Sequence, residues 1–319
     1  MNHELIAEVW RGDLVESVHY GTVIALDARG EVALSAGEPH ALMYPRSANK
    51  PLQATAMLES GLDIDGELLA LACASHAGEP FHVDGVRTML AKYGLTESDL
   101  RCTADLPLDE SARNALIAAG ITPAPLYMNC SGKHAAMLAS CVAGGWPTET
   151  YRSPDHPLQQ RIRHTIERLA GEDVGAVGVD GCGAALFGFS LHGLARAFRA
   201  LATAADGSRE HRVAEAMRTY PEWVDGTGRP GARLSRALPG AVAKGGAEGV
   251  FAVALPDGRA LAMKVADGNK RAVMPVAVAA LRAIGVDSPA LADVADEPVL
   301  GHGERVGAVR AAPALTDRW

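Results

Sequence analysis

The chain has 319 residues, of which 48% are hydrophobic and 21% charged, and its formal net charge is −8. That length and apolar content support a substantial buried core, while the acidic balance argues against nucleic acid or an anionic membrane surface as partner. No apolar stretch is long enough to span a bilayer, Met1-Asn2-His3-Glu4-Leu5 lacks a basic region followed by an apolar run and so reads as no signal peptide, and five widely spaced cysteines suit reduced thiols in a cytoplasm.

In chain order, Ala7–Trp10, Val18–Leu26 and Val32–Ser35 are β-rich, and Arg11-Gly12-Asp13 and Asp27-Ala28-Arg29-Gly30 supply turns between them. The segment from 51 to 205 is mostly helical. Leu68–Ala74 is an apolar helical run, a helix spans about Val83 to Tyr93 with Gly94 as its stop, and another begins at Asp109 or Ser111. Lys133–Val142 is helical. Asp155-His156-Pro157 opens a helix whose Leu158, Ile162, Ile166 and Leu169 share one face. A further helix is expected over Phe189–Ala205. Residues 225–240, rich in Gly and Pro, read as a loop over a site. Gly249–Leu255 and Arg259–Val265 form a hairpin through Pro256-Asp257-Gly258, and a helix spans Lys270–Ile284. From about Ser288 to Trp319 the chain is polar, with one short strand at Arg305–Arg310.

This order is α+β rather than alternating βαβ. N- and C-terminal strands share an antiparallel sheet packed with a helical block. The expected organisation is one domain over 1–319, with a helical lobe of about 51–240 inserted between the strands.

Reactive side chains gather in five short stretches. Ser47 precedes Lys50 by three positions, so a helical turn puts both on one face. Ser-x-x-Lys is the arrangement of acyl-transfer enzymes in which a lysine activates a serine. Pro51 fits if it lies in the first helical turn; the bland reading is an N-cap serine and a solvated lysine. Ser75 ends an apolar run. His76, Glu79 and His82 have loose metal-ligand spacing, but Pro80 breaks the helix that would align them, which favours capping and hydrogen bonding. Asn129-Cys130-Ser131-Gly132-Lys133-His134 joins a loop to a helix, where a thiolate would have a lowered pKa; a helix-start turn with a structural cysteine is the other reading. Asp180-Gly181-Cys182-Gly183 is a turn. Cys73 and Cys141 lie in apolar helical runs and read as packing residues. Lys244-Gly245-Gly246 precedes a strand, as a Lys-Thr-Gly element does in penicillin-binding proteins, or is a solvated lysine in a turn.

Taken in order, Arg46-Ser47-Ala48-Asn49-Lys50-Pro51, Ala74-Ser75-His76, Asn129–His134, Asp180-Gly181-Cys182 and Lys244-Gly245-Gly246 resemble the Rhizobium etli type (class 3, asparaginase II) L-asparaginases. The resemblance covers about residues 5 to 285. It implies a fold like serine β-lactamases and glutaminases, and hydrolysis of L-asparagine to L-aspartate and ammonia. By that resemblance Ser47 with Lys50 and Ser75 with Lys244 would form two Ser–Lys tandems. Arg46 and Asp180 would bind substrate. Cys130, Lys133 and Cys182 would ligate one zinc ion per chain, whose affinity should fall with pH because a lysine ligand must be neutral. A cytoplasmic homodimer is implied. The alternatives are a glutaminase or other β-lactamase-like acyl-transfer enzyme, and a non-catalytic zinc or amino-acid binding protein.

Overall fold

The computed structural model describes residues 2–316. Met1 and residues 317–319, the extremes of the expected single domain and of the polar tail, lie outside the described residues. The chain divides into two compact units. One is built from the segments up to Ala48, Phe189–Thr203 and from Arg233 onward; the other is built from Asn49–Gly188 and Ala204–Ala232.

The first unit holds an antiparallel sheet. Its strands run in the order Pro298–Gly301, Glu304–Ala311, Glu4–Arg11, Leu14–Leu26, Ala260–Val265, Val250–Ala254, Val242–Gly245, and Val32–Ala36 also pairs with the long strand. N- and C-terminal strands therefore do share one sheet, and the α+β class holds. Ile6, Val23, Phe251, Leu261 and Val276 belong to its buried apolar core. Helices Leu191–Ala202 and Val273–Ala283 pack in this unit.

The second unit is mainly helical: Lys50–Glu59, Gly66–Ala72, Pro80–Lys92, Glu110–Ala118, Ser131–Gly144, Pro157–Ala170 and Arg209–Thr219. Local signals account for several of their starts. Asp109 Oδ1 accepts the Ala112 N–H at 2.7 Å, and His156 Nδ1 accepts that of Leu158 at 3.1 Å, with Pro157 next in line. Both satisfy N–H groups that a helix leaves unpaired at its first turn. Gly132 permits the closest approach. A Cβ there would lie 2.6 Å from Leu71 O, so only glycine lets helix Ser131–Gly144 sit against helix Gly66–Ala72.

Three expectations need correction. The stretch 225–240 is not all loop, because Pro230–Ala237 is a helix that begins on a proline. Phe189 and Ser190 finish a fully buried strand, Ala185–Ser190, and the helix starts one residue later, with Ser190 Oγ accepting the Gly193 N–H at 2.9 Å. The tail contributes two strands rather than one. His302 (φ 50°) and Gly303 (φ 82°) make the two-residue turn between them, and both take the positive φ that a type I′ hairpin requires. A histidine in the first of those positions is an uncommon signal, which hid the hairpin. The helix Arg209–Thr219 was also unread.

Candidate active site

Arg46–Asn49 forms a 3₁₀ turn that runs straight into helix Lys50–Glu59, with Pro51 in the first turn. Pro51 thus falls where its missing N–H costs nothing. Ser47 is partly buried. Arg46 stands at φ 51° and Glu248 at φ 58°, left-handed conformations that cost a non-glycine residue free energy. Their side chains approach to 3.8 Å. Lys244 is buried on Val242–Gly245, which ends the sheet order, and its Nζ donates to Gly245 O at 2.8 Å. The strand's end lies against the serine-bearing turn: a Cβ on Gly246 would come within 2.7 Å of Pro45 O. Arg46, Ser47 and Lys244 all belong to the sheet unit.

Lys50, Ser75, Cys130, Lys133, Asp180 and Cys182 belong to the helical unit. Lys50 is 1% exposed. Its Nζ donates to Ala74 O at 2.5 Å, Ser75 Oγ at 3.0 Å and Cys130 Sγ at 3.1 Å. Three acceptors thus surround the Lys50 nitrogen. Each expected tandem takes one member from each unit; the serine–lysine pair in hydrogen-bond contact inside one unit is Lys50 with Ser75. Cys130 Sγ also donates to Asn129 Oδ1 at 3.0 Å.

The second cluster centres on Cys182. Lys133 Nζ donates to its sulfur at 3.0 Å, and Asp180 Oδ2 lies 3.9 Å away. The neighbouring Cys130 holds the Cys182 thiol below its usual range, against burial, and Lys133 adds to the effect. The reverse applies to Cys130, which its contact with Cys182 and its burial push up. Burial opposes the Lys133 charge, but Cys182, Cys130 and Asp180 outweigh it and raise its pKa. The pair's shifts run in opposite directions, down at Cys182 and up at Cys130, beside a lysine whose pKa is raised. His134 next along the helix is fully buried, which lowers its pKa to about 4 despite the nearby Cys182 sulfur. Its Nδ1 meets Tyr151 Oη at 2.6 Å.

Two sulfurs and an amine gather here, a donor set that suits a soft metal once the lysine gives up its proton. Among the described residues no group of three His, Cys, Asp or Glu could hold a metal ion. A zinc site would consequently depend on the Lys133 nitrogen. The His76, Glu79, His82 trio is spent on hydrogen bonds: to Ser131 Oγ at 2.9 Å, from the Thr227 N–H at 2.7 Å, and to Glu222 O at 3.0 Å. Cys73 and Cys141 are buried in helical surroundings, and burial pushes the Cys141 thiol to about 12. Sequence reasoning missed the contact of Lys50 with Cys130, for which no spacing in the chain gives a signal. No helix among the described residues is long and apolar enough to cross a membrane.

The family model described as L-asparaginase II matches residues 7–311. No curated protein matches the chain. Among solved structures it is similar to a β-lactamase from Mycobacterium bovis, at 16% identity over 83% of this chain and 95% of that one, with a TM-score of 0.48. It is also similar to Mglu in its native form, at 15% identity over 79% of this chain, with a TM-score of 0.43; the match spans 61% of Mglu's length. A third is EstCE1, a hydrolase with promiscuous acyltransferase activity, at 14% identity over 77% of this chain and 88% of that one, with a TM-score of 0.40.

Proposed function

The chain belongs to the L-asparaginase II family, and from that membership we propose that it is an amide hydrolase of the Rhizobium etli type, converting L-asparagine to L-aspartate and ammonia through an acyl-enzyme. The observation that carries the reading is the placement of the buried Lys50 one helical turn after Ser47. A primary amide needs an activated nucleophile and an acid for its leaving nitrogen.

In this reading Ser47 Oγ attacks the side-chain carbonyl carbon, and Lys50, in its amine form, takes the hydroxyl proton. Collapse of the tetrahedral intermediate breaks the C–N bond, and the lysine returns the proton to the departing nitrogen as ammonia. A water molecule attacks the ester left on Ser47 and gives a proton to the same amine; as the bond from the acyl carbon to Ser47 Oγ breaks, the lysine returns that proton to Oγ, and L-aspartate leaves. Ser75 and Lys244 form the second tandem and steer Ser47. Arg46 stands near the reacting carbonyl, and Asp180 receives the substrate's ammonium group. Cys130, Lys133 and Cys182 would hold zinc, which when bound supplies positive charge that fixes the substrate end of the site. The working form is a cytoplasmic homodimer.

The Lys50–Ser75 contact favours a second reading, in which Ser75 is the nucleophile and Ser47 the helper. Turnover of asparagine and glutamine by Ser47→Ala and Ser75→Ala, followed by mass mapping of the serine acylated by a slow ester substrate, decides. An adduct on Ser47 supports the first reading and an adduct on Ser75 the second. No ammonia from either amide in the unaltered protein rejects both. Chelation is expected to raise KM for asparagine more than it lowers kcat, and the opposite split would remove zinc from substrate binding.

A further inference from the structure

His76 follows Ser75 directly and is used by no step above. It is fully buried, and both ends of it reach the segment that carries Cys130. Its backbone N–H donates to Asn129 O at 3.0 Å, and its Nε2 lies 2.9 Å from Ser131 Oγ. Asn129 and Ser131 are the two neighbours of Cys130, so the cysteine is bracketed by hydrogen bonds from one residue. On the other side, the Ser75 N–H is anchored to Val224 O at 3.0 Å. Between Ser75 Oγ and Cys130 Sγ lies Lys50 Nζ, at 3.0 Å and 3.1 Å.

We infer that His76 is a positioning residue: with Ser131 it stitches the Ser75 strand of chain to the Cys130 helix start, and so sets the hydroxyl and the thiol at one distance from a single lysine. A lysine holds both groups only if their separation stays within two hydrogen-bond lengths. Ser75 and Cys130 leave their elements at separate points, the end of Gly66–Ala72 and the start of Ser131–Gly144. The backbone bond from His76 to Asn129 ties the two segments at one point, and the ring bond to Ser131 adds a second on the other side of Cys130. Burial keeps the imidazole neutral, its pKa well below the ordinary value, so the ring has one donor and one acceptor nitrogen and needs a hydroxyl partner of either sense. Ser131 is such a partner. The Nδ1 atom has no hydrogen-bond partner, so the Ser131 bond is the ring's polar link, beside its stacking on the His82 ring.

The role rests on the amide-hydrolase reading for its catalytic consequence but not for its structural one, and the test separates them. His76→Leu and Ser131→Ala each remove the ring bond, whereas His76→Gln keeps a polar atom near the Nε2 position. Alkylation of native protein, mapped by mass spectrometry, is expected to speed up at Cys130 in His76→Leu and Ser131→Ala while Cys141, on the same helix, stays protected. In asparagine turnover those two variants should lose roughly 10- to 100-fold in kcat with KM changed by less than about threefold, the double variant no worse than either single, and His76→Gln close to the unaltered protein. Equal labelling of Cys130 and Cys141 would mean general loosening and overturns the inference. So would a His76→Gln variant as impaired as His76→Leu, or a Ser131→Ala variant with unchanged Cys130 labelling. Absence of ammonia release in the unaltered protein would reject the hydrolase reading while leaving the labelling result to decide the stitch.

Discussion

The sheet unit and the helical unit use burial in opposite ways. Among the described residues, the polar side chains buried in the sheet unit are His19, Thr22, Ser190 and Lys244, set in a core of aliphatic and aromatic residues. The helical unit buries Lys50, Lys133, His76, His82, His134 and several amides and hydroxyls. A buried polar group is tolerated when it is hydrogen-bonded, and here Lys50 has three acceptors and Lys133 donates to the Cys182 sulfur. The sheet unit buries few polar groups, Lys244 among them. The helical unit buries many more and holds them in fixed relation through hydrogen bonds, as active sites commonly do.

The sharpest way to break the contrast is Lys50→Met, which keeps the volume and deletes the donors of Ala74 O, Ser75 Oγ and Cys130 Sγ. Ammonia release from asparagine should drop by roughly 10³-fold or more, and thermal unfolding should show a loss of about 1–3 kcal/mol for each acceptor left dry. Retained turnover would reduce Lys50 to a structural cation. In the sheet unit, Leu261→Ala is expected to cost about 2–5 kcal/mol in denaturant unfolding, since Leu261 is wholly buried among apolar neighbours. A cost below that range would show that its core is looser than its packing implies.

Acid should weaken the helical unit first. Burial lowers the pKa of both His76 and His82; His82 and Lys50 deepen the shift at His76, whereas the Glu222 carbonyl partly opposes it at His82. In the unfolded chain both rings take up protons near pH 6.5, so below that value the unfolded state binds more protons than the folded one. Stability is therefore full above about pH 6.5 and falls as the pH drops toward the folded-state values. A melting series from about pH 7.5 to about pH 5 reads this, and His82→Gln should flatten the slope; an unchanged slope would assign it to other groups. The smallest effect belongs to Asp109→Ala, about 1 kcal/mol of helix capping, because helix Glu110–Ala118 has no buried residue to transmit more.

Much of this was legible in the chain. The Pro256-Asp257-Gly258 hairpin, the Asp109 and Pro157 helix starts and the proline after Lys50 are all local signals, and local chemistry decides them. Cys130 and Lys133 could be singled out because a thiol and a lysine at a helix start are unusual neighbours. The partners could not. Nothing within reach of Lys50 in sequence names Ala74 or Cys130, and nothing near His76 names Ser131, because those meetings depend on how Gly132 lets two helices close. The tail hairpin was hidden for a different reason: His302 adopts a positive φ that its residue type does not advertise.

Neither unit is continuous in the chain, and this shapes how the molecule is made. Glu4–Arg11 and Leu14–Leu26 are synthesised well before two of their sheet neighbours, Ala260–Val265 and Glu304–Ala311. The helical unit has all its segments by Ala232, so it can consolidate while the first hairpin still waits with bare edges. A nascent chain stalled after Ala232 should resist protease across its helices and be cut readily near its beginning, and a chaperone that shields open strand edges would act there longest.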